Sequence, residues 1–219
     1  LMKRAVMIEF EYLKRGLYGM ANAPKAGSMA GHLGAAVMTG YFIGEDQSNL
    51  PDGVFVGIRR DLNRIMGGEE SIWFDPKKAG ITAEELFAPL PPEPAQENGI
   101  DGIAKALAGN IGKTRQSGHN VIFAAIALRG LKGHSQLATP KILAGIGQLI
   151  ATFHNAHAGR GYYGKAIGWK NGNEAPMVPE AEIGAYDSMK TLAEAVVAEV
   201  IQEAAVHRQG FGGLFHLIN

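Results

Sequence analysis

GHLGAAVM, at residues 31–38, opens an apolar, helix-like run, and GHNVIFAA, at residues 118–125, opens a similar run 87 residues later (118 − 31 = 87). A third match begins near the end of the chain, where Arg208-Gln209-Gly210 resembles the Arg115-Gln116-Ser117 that leads into the second run. Repetition on this scale indicates that one supersecondary unit is the building block of the fold.

Three helices can be assigned to the repeating unit. Helix A is predicted over residues 101–113 and 187–207, where apolar residues recur in steps of three and one along a single helical face. Helix B starts at each Gly-His, and helix C follows the turns at Pro51 and Pro140. Proline-rich connectors at 88–99 and 170–186 favour extended backbone, and we find no alternating strand pattern. The sequence therefore predicts an all-α fold of tandem antiparallel helical hairpins, with a repeat of about 90 residues.

The domain organisation follows from this repeat. We expect a single all-α domain over residues 1–219, with units at roughly 3–87, 101–170 and 187–219, the last of them incomplete. The length and a hydrophobic content of 46% are sufficient for a substantial core. Because the chain opens with Leu1 and stops within an apolar pattern, we expect it to be part of a longer protein.

Composition argues against several classes of partner. The 21 basic and 21 acidic residues cancel, so the sequence predicts neither nucleic-acid binding nor attraction to an anionic membrane. The longest apolar run, 121–128, is far shorter than the about 20 residues that span a bilayer. The absence of cysteine excludes disulfides and thiolate metal sites and favours a cytoplasmic location. Oligomerisation is left open.

This arrangement resembles the α/α-toroids at the level of architecture, through helical hairpins whose inner helices begin with Gly or His and whose loops carry aromatic residues. That group includes terpenoid cyclases, protein prenyltransferase subunits and several carbohydrate-active enzymes. The resemblance implies a toroid-like fold. The acidic DxDD and DDxxD motifs of terpene cyclases are absent, so it implies no catalytic role for any residue of this chain.

Candidate site residues follow from the hairpin geometry. The start of helix B and the end of helix C lie at the same end of an antiparallel hairpin, which predicts a rim of histidines and aromatics. His32 and His119 are the candidate catalytic bases. The candidate ligand-binding residues are Trp73, Phe74, Arg160, Tyr162, Tyr163, Lys165 and His216. The alternative for His32 and His119 is a structural role, capping or packing at a helix start.

The segment 159–165, GRGYYGK, is the strongest candidate binding loop. Its glycines allow close backbone approach, and Arg160 and Lys165 supply positive charge. The alternative is a turn whose tyrosines cover helix ends. His154 and His157 are three residues apart, which would place both on one helical face, but no carboxylate accompanies them and the metal-site signal is weak.

These features favour a protein that binds a small organic ligand, because aromatic rings stack on apolar faces while charges orient polar atoms. One form of this prediction is an enzyme that acts on a carbohydrate or an isoprenoid-like substrate. The alternative is a helical-repeat scaffold for protein–protein interaction, without catalysis. A third hypothesis is a metal held by His32, His119 and His216. The sequence specifies no cofactor.

Overall fold

The computed structural model describes residues 7–69, 73–110, 115–162, 165, 168–174 and 187–206; at 161, 162, 189, 199, 200 and 202–206 it describes the backbone alone. Within these residues lie helices α1 (Phe10–Asn22), α2 (Gly31–Asp46), α3 (Asp52–Met66), α4 (Pro76–Ala79), α5 (Ala83–Leu86), α6 (Asp101–Ala108), α7 (His119–Gly133), α8 (Pro140–Ala151) and α9 (Met189–Val206). Two short strands, β1 (Arg160–Tyr162) and β2 (Trp169–Asn171), separate α8 from α9.

The predicted all-α class is confirmed for the described residues, with one departure. β1 and β2 form an antiparallel hairpin in which Tyr162 pairs with Trp169 and Arg160 with Asn171. No strand is predicted here from the sequence. Strands of three residues are too short to show an alternating pattern, and the Gly-rich segment around them gave no periodic signal.

Local signals explain most helix boundaries. Pro140 occupies the first turn of α8, and Pro51 directly precedes α3. Ser188 precedes α9, and its Oγ accepts a hydrogen bond from the Thr191 backbone N–H at 3.2 Å, as expected for an N-cap. Helix α6 ends at Ala108, earlier than the predicted residue 113. Gly109 follows at once, and glycine is a poor helix former.

The chain divides into two compact units. The first comprises Leu1–Gly109 with Phe123–His154, and the second comprises Asn110–Ile122 with Asn155–Asn219. The first unit thus holds most of the helices, whereas the second holds the start of α7, the β hairpin and α9. The prediction of a single domain over 1–219 stays a prediction.

Close helix packing at glycines organises the core of the first unit. A Cβ atom on Gly34 of α2 would overlap the backbone of Gly16 and Met20 in α1, and a Cβ on Gly145 of α8 would overlap Ala21 of α1. Glycine therefore sets the separation between α1 and its two neighbours. Around these contacts lie fully buried side chains, including Leu13, Leu17, Leu33, Met38, Phe123 and Phe153.

Helix α9 of the second unit differs from its prediction in burial. The sequence pattern predicts a buried apolar face, yet Val197 is 56% exposed and Ile201 is 65% exposed. The two side chains are four residues apart and so lie on one side of the helix. Among the described helices, none is long and apolar enough to cross a lipid bilayer.

Candidate functional site

The two Gly-His histidines form the same local hydrogen bond. His32 donates from Nδ1 to the carbonyl oxygen of Met29 at 2.8 Å, and His119 donates from Nδ1 to the carbonyl oxygen of Gln116. Each acceptor lies three residues before its histidine. Because a carbonyl can only accept, Nδ1 carries the proton and Nε2 carries the lone pair of the neutral ring. Both imidazoles are thus held in the tautomer whose basic nitrogen is Nε2, and His119 is buried, with 8% of its surface exposed.

His32, in the first unit, belongs to an aromatic cluster. Its ring stacks on Trp73 with 4.3 Å between centroids and 9° between planes. The edge of the Phe123 ring packs against it at 5.1 Å and 90°. Trp73 is 42% exposed, whereas its neighbour Phe74 is buried in the core. Of the predicted aromatic pair, only Trp73 therefore presents a substantial surface to a ligand.

The turn before His119, in the second unit, has an unusual backbone. Gln116 and Ser117 adopt φ angles of 44° and 54°, and Gly118 follows at 86°. In the described part of the chain, Gln116 and Ser117 are the residues other than glycine with positive φ. The left-handed conformation costs an L-amino acid about 1–2 kcal/mol. A strained turn that leads directly into a candidate base is a feature typical of functional sites.

A segment about 40 residues further on holds this turn in place. The backbone N–H groups of Gln116 and Ser117 donate to the carbonyl oxygens of His157 and Ala158, each at 2.8 Å. Arg115 donates from its guanidinium to the carbonyl of Ala156 at 3.2 Å. These non-local bonds compensate for the local strain. They also make residues 115–118 and 156–158 one structural element.

Gly159 completes the contact. Its φ of 86° lies in the region that favours glycine, and a Cβ atom would lie 2.6 Å from the backbone nitrogen of Ser117. Any side chain at this position would therefore push the strained turn away. The sequence predicts that the glycines of the loop 159–165 allow a ligand to approach the backbone. At Gly159, the group that approaches is instead the backbone of Ser117.

His157 reinforces the same element. Its Nδ1 accepts the Gly159 backbone N–H at 3.0 Å, so Nε2 carries the proton in the neutral ring. Nε2 lies 3.1 Å from the side-chain amide of Gln116. The Gln116 atom in this contact is the amide nitrogen; because two donors cannot bond to each other, a rotated amide, with its oxygen toward His157, satisfies both groups. The predicted pairing of His154 and His157 on one helical face is wrong, because α8 ends at Ala151.

The β hairpin follows directly from this element. Arg160 lies with its guanidinium carbon 4.9 Å from the centroid of the Trp169 ring, and Trp169 is 61% exposed. Lys165, between the strands, is exposed. The side chain of Tyr162, together with Tyr163 and His216, lies outside what the structure describes. The hairpin thus presents a cation and an aromatic ring together at the surface.

Gln116, His157 and Trp169 were not predicted from the sequence as members of this site. Trp169 directly precedes the connector 170–186, and nothing in the neighbouring sequence distinguishes it from a buried aromatic residue. The available signal was the match of Arg115-Gln116-Ser117 with Arg208-Gln209-Gly210. A glycine at the third position of that match is consistent with a left-handed turn at Ser117.

Comparisons with known proteins add no relative. The chain matches no protein-family model, and neither a curated protein nor a solved structure matches it.

Within the described ranges, no group of three or more His, Asp or Glu side chains is arranged to hold a metal ion. His32 belongs to the first unit and His119 to the second, while His216 is outside the described residues, so the three-histidine metal site stays a prediction.

Proposed function

We propose that this protein is a helical-hairpin protein of toroid-like architecture that binds a small organic ligand, carbohydrate-like or isoprenoid-like, beside the turn that precedes His119. The observation that carries the proposal is the left-handed conformation of Gln116 and Ser117, which is held by hydrogen bonds to residues 157 and 158. Strain that the surrounding structure maintains is more frequent at ligand sites than elsewhere.

The exposed hairpin supports the proposed class of ligand. The Trp169 ring offers an apolar face, on which a sugar ring or an isoprenoid chain can stack. The guanidinium of Arg160 lies over the same ring, and its N–H groups are hydrogen-bond donors for a ligand bound there. Stacking combined with directional donors suits a ligand that has both apolar and hydroxyl or phosphate groups.

The bonding of the histidines supports a catalytic step in this proposal. In the neutral rings of His119 and His32, Nδ1–H is donated to a carbonyl, so Nε2 is the basic nitrogen. Histidine is the most frequent general base in enzymes, and Nε2 is the nitrogen that would accept the proton of a ligand hydroxyl. A ligand-binding protein without turnover would keep the same stacking surface and make no use of this nitrogen.

Helix positions support the repeat architecture. α7 begins 88 residues after α2 (119 − 31 = 88), and α8 begins 88 residues after α3 (140 − 52 = 88). Duplication of one helical unit would produce these equal offsets. It would also explain why His32 and His119 form the same Nδ1 hydrogen bond. The toroid is the closed form of such a repeat.

Tryptophan fluorescence tests ligand binding directly, because the chain contains two tryptophans. The Trp73→Phe variant reports on Trp169 alone, and the Trp169→Phe variant reports on Trp73 alone. We would titrate each with cellobiose, maltotriose and geraniol. At least one probe is expected to change the emission of Trp169, and Arg160→Ala should weaken that response. Arg60→Ala, an exposed cation of α3, is the matched control.

The outcomes separate the parts of the proposal. A response of Trp73 to the same probe would support the predicted rim, whereas a response of Trp169 alone would restrict binding to the second unit. If the emission of Trp169 is unchanged by every probe up to about 10 mM, the ligand-binding proposal is overturned. Product formation that His119→Ala abolishes would establish the catalytic step.

The exposed face of α9 favours the second candidate function, an interaction scaffold. Val197 and Ile201 present adjacent apolar side chains to solvent, and contiguous apolar surface is typical of protein contact sites. Sedimentation of the purified chain tests the simplest partner, a second copy. Self-association that Val197→Lys with Ile201→Lys abolishes would favour the scaffold, and a monomer at every concentration would argue against a self-association role.

A further inference from the structure

A surface cavity in the first unit is lined by none of the histidine and hairpin residues discussed so far. It has a volume of about 270 Å³ and is formed by the first half of α1, the residue before it and the end of α3. This volume is just below the range of about 300–1,000 Å³ that is typical of small-molecule sites. Its lining residues are Glu9, Glu11, Tyr12, Arg15, Asn63 and Met66.

Arg15 is the cation of this lining, and it forms no ion pair with the described carboxylates, including the two in the lining. Its Nε is buried and has no hydrogen-bond acceptor. Both carboxylates of the lining are paired with other cations. Glu11 pairs with Lys14 at 2.6 Å, and Glu9 lies 3.8 Å from Arg59. A half-buried guanidinium is always charged, and an unmet buried donor is unfavourable, so Arg15 is suited to an anionic group from outside the chain.

The rest of the lining restricts what kind of anion fits. Glu9 and Glu11 also line this cavity. Their pairs with Arg59 and Lys14 are solvent-exposed, with the two carboxylate side chains 59% and 57% exposed, so these pairs are weak. The two carboxylates would therefore still repel a ligand that is only anionic and attract one that also carries a cation. Tyr12 and Met66 supply apolar surface. The Tyr12 hydroxyl donates to Oδ1 of Asn63 at 3.0 Å, which joins α1 to α3 and holds this wall in place.

We propose that this cavity binds a small zwitterion, an α-amino acid with an apolar side chain. The carboxylate of the ligand pairs with the guanidinium of Arg15, whose planar donors match a carboxylate. The ammonium group lies beside Glu9 and Glu11, and the apolar side chain lies against Met66 and the ring of Tyr12. This site does not depend on the function proposed for the second unit.

Calorimetric titration of the full chain tests the site, with L-leucine as the probe. N-acetyl-leucine lacks the ammonium group and leucinamide lacks the carboxylate, so each should bind more weakly than leucine. Arg15→Gln should weaken leucine binding by about tenfold or more, because loss of one partner of a hydrogen-bonded charge pair has an effect of this size. Arg60→Gln makes the same change of charge at an exposed position of α3 and should leave the affinity unchanged.

Several outcomes would overturn the proposal. One is the absence of binding by leucine and phenylalanine up to about 10 mM. Another is equal affinity for leucine and N-acetyl-leucine, which would show a simple anion site. Wild-type affinity in Arg15→Gln would also exclude it. Arg15→Lys keeps the charge and the fold-stabilising stem but loses the planar donor pair, so reduced affinity in this folded variant would support the site even if Arg15→Gln fails to fold.

Discussion

The imidazole of His32 lies parallel to the indole of Trp73, with 4.3 Å between the ring centroids. This stacking joins the start of α2 to a loop residue beyond α3, and we expect it to contribute to stability. A double-mutant cycle of His32→Ala and Trp73→Ala should give a coupling energy of about 0.5–1.5 kcal/mol in chemical denaturation. His32→Phe keeps a ring in the pair and should retain much of this coupling. Strictly additive losses in the alanine cycle would contradict the prediction.

Glycine at the contact between α1 and α2 gives a second prediction. Gly34→Ala places a methyl group against the backbone of Gly16 and Met20, and we expect it to lower the free energy of unfolding by about 1–3 kcal/mol. Urea denaturation followed by circular dichroism measures the loss.

The matched control is Gly57→Ala within α3. Nothing lies within 4 Å of a Cβ atom at Gly57, and alanine is the better helix former, so stability should rise by about 0.5–1 kcal/mol. A rise in stability for both Gly34→Ala and Gly57→Ala would show that helix propensity, rather than close packing, decides the effect at Gly34.

The helices of this protein could be predicted because their signals are local. Gly-His, Pro51, Pro140 and Ser188 each mark a helix start within a few residues of where the structure places it. Burial was harder to predict. Trp73 and Phe74 are adjacent in sequence, yet one is exposed and the other is in the core, because that difference depends on the packing of distant elements.

The candidate site in the second unit was less predictable for the same reason. Its strained turn at Gln116 and Ser117 is maintained by hydrogen bonds to residues 157 and 158, and no local pattern encodes a partner some 40 residues away. The exposed stack of Arg160 on Trp169 requires a hairpin of two three-residue strands. Such strands are below the length at which alternation can be recognised.

The strained turn yields a third prediction, an asymmetry between two substitutions. Ser117→Gly replaces a residue with φ of 54° by one that adopts this angle readily. We expect stability to stay the same or to rise by less than about 1 kcal/mol, since glycine also gains freedom in the unfolded chain.

The counterpart is Gly159→Ala, which adds a side chain where φ is 86° and the Ser117 backbone is in contact. It should destabilise the protein by about 1–3 kcal/mol. Thermal denaturation of both variants checks the difference. A greater loss in Ser117→Gly than in Gly159→Ala would contradict the account of strain given for this turn.

Tyr41 gives the last prediction, a loss of stability at alkaline pH. Burial of this side chain raises the pKa of its hydroxyl, and the Glu45 carboxylate raises that pKa further. The folded state therefore holds the phenolic proton more tightly than the unfolded state, whose tyrosines titrate near pH 10. The free energy of unfolding is unaffected well below pH 10 and falls as the pH rises through the raised pKa, because unfolding then releases a proton.

Tyr41→Phe removes the titrating hydroxyl and should reduce this alkaline loss. Burial also raises the pKa of Tyr12, so part of the loss should persist in Tyr41→Phe and decrease further in the double variant with Tyr12→Phe. Urea denaturation at about pH 8 and about pH 11 measures the difference, since tyrosine is uncharged at the lower value in both states. An equal fall in stability for the wild type and the double variant would assign the alkaline sensitivity to other groups.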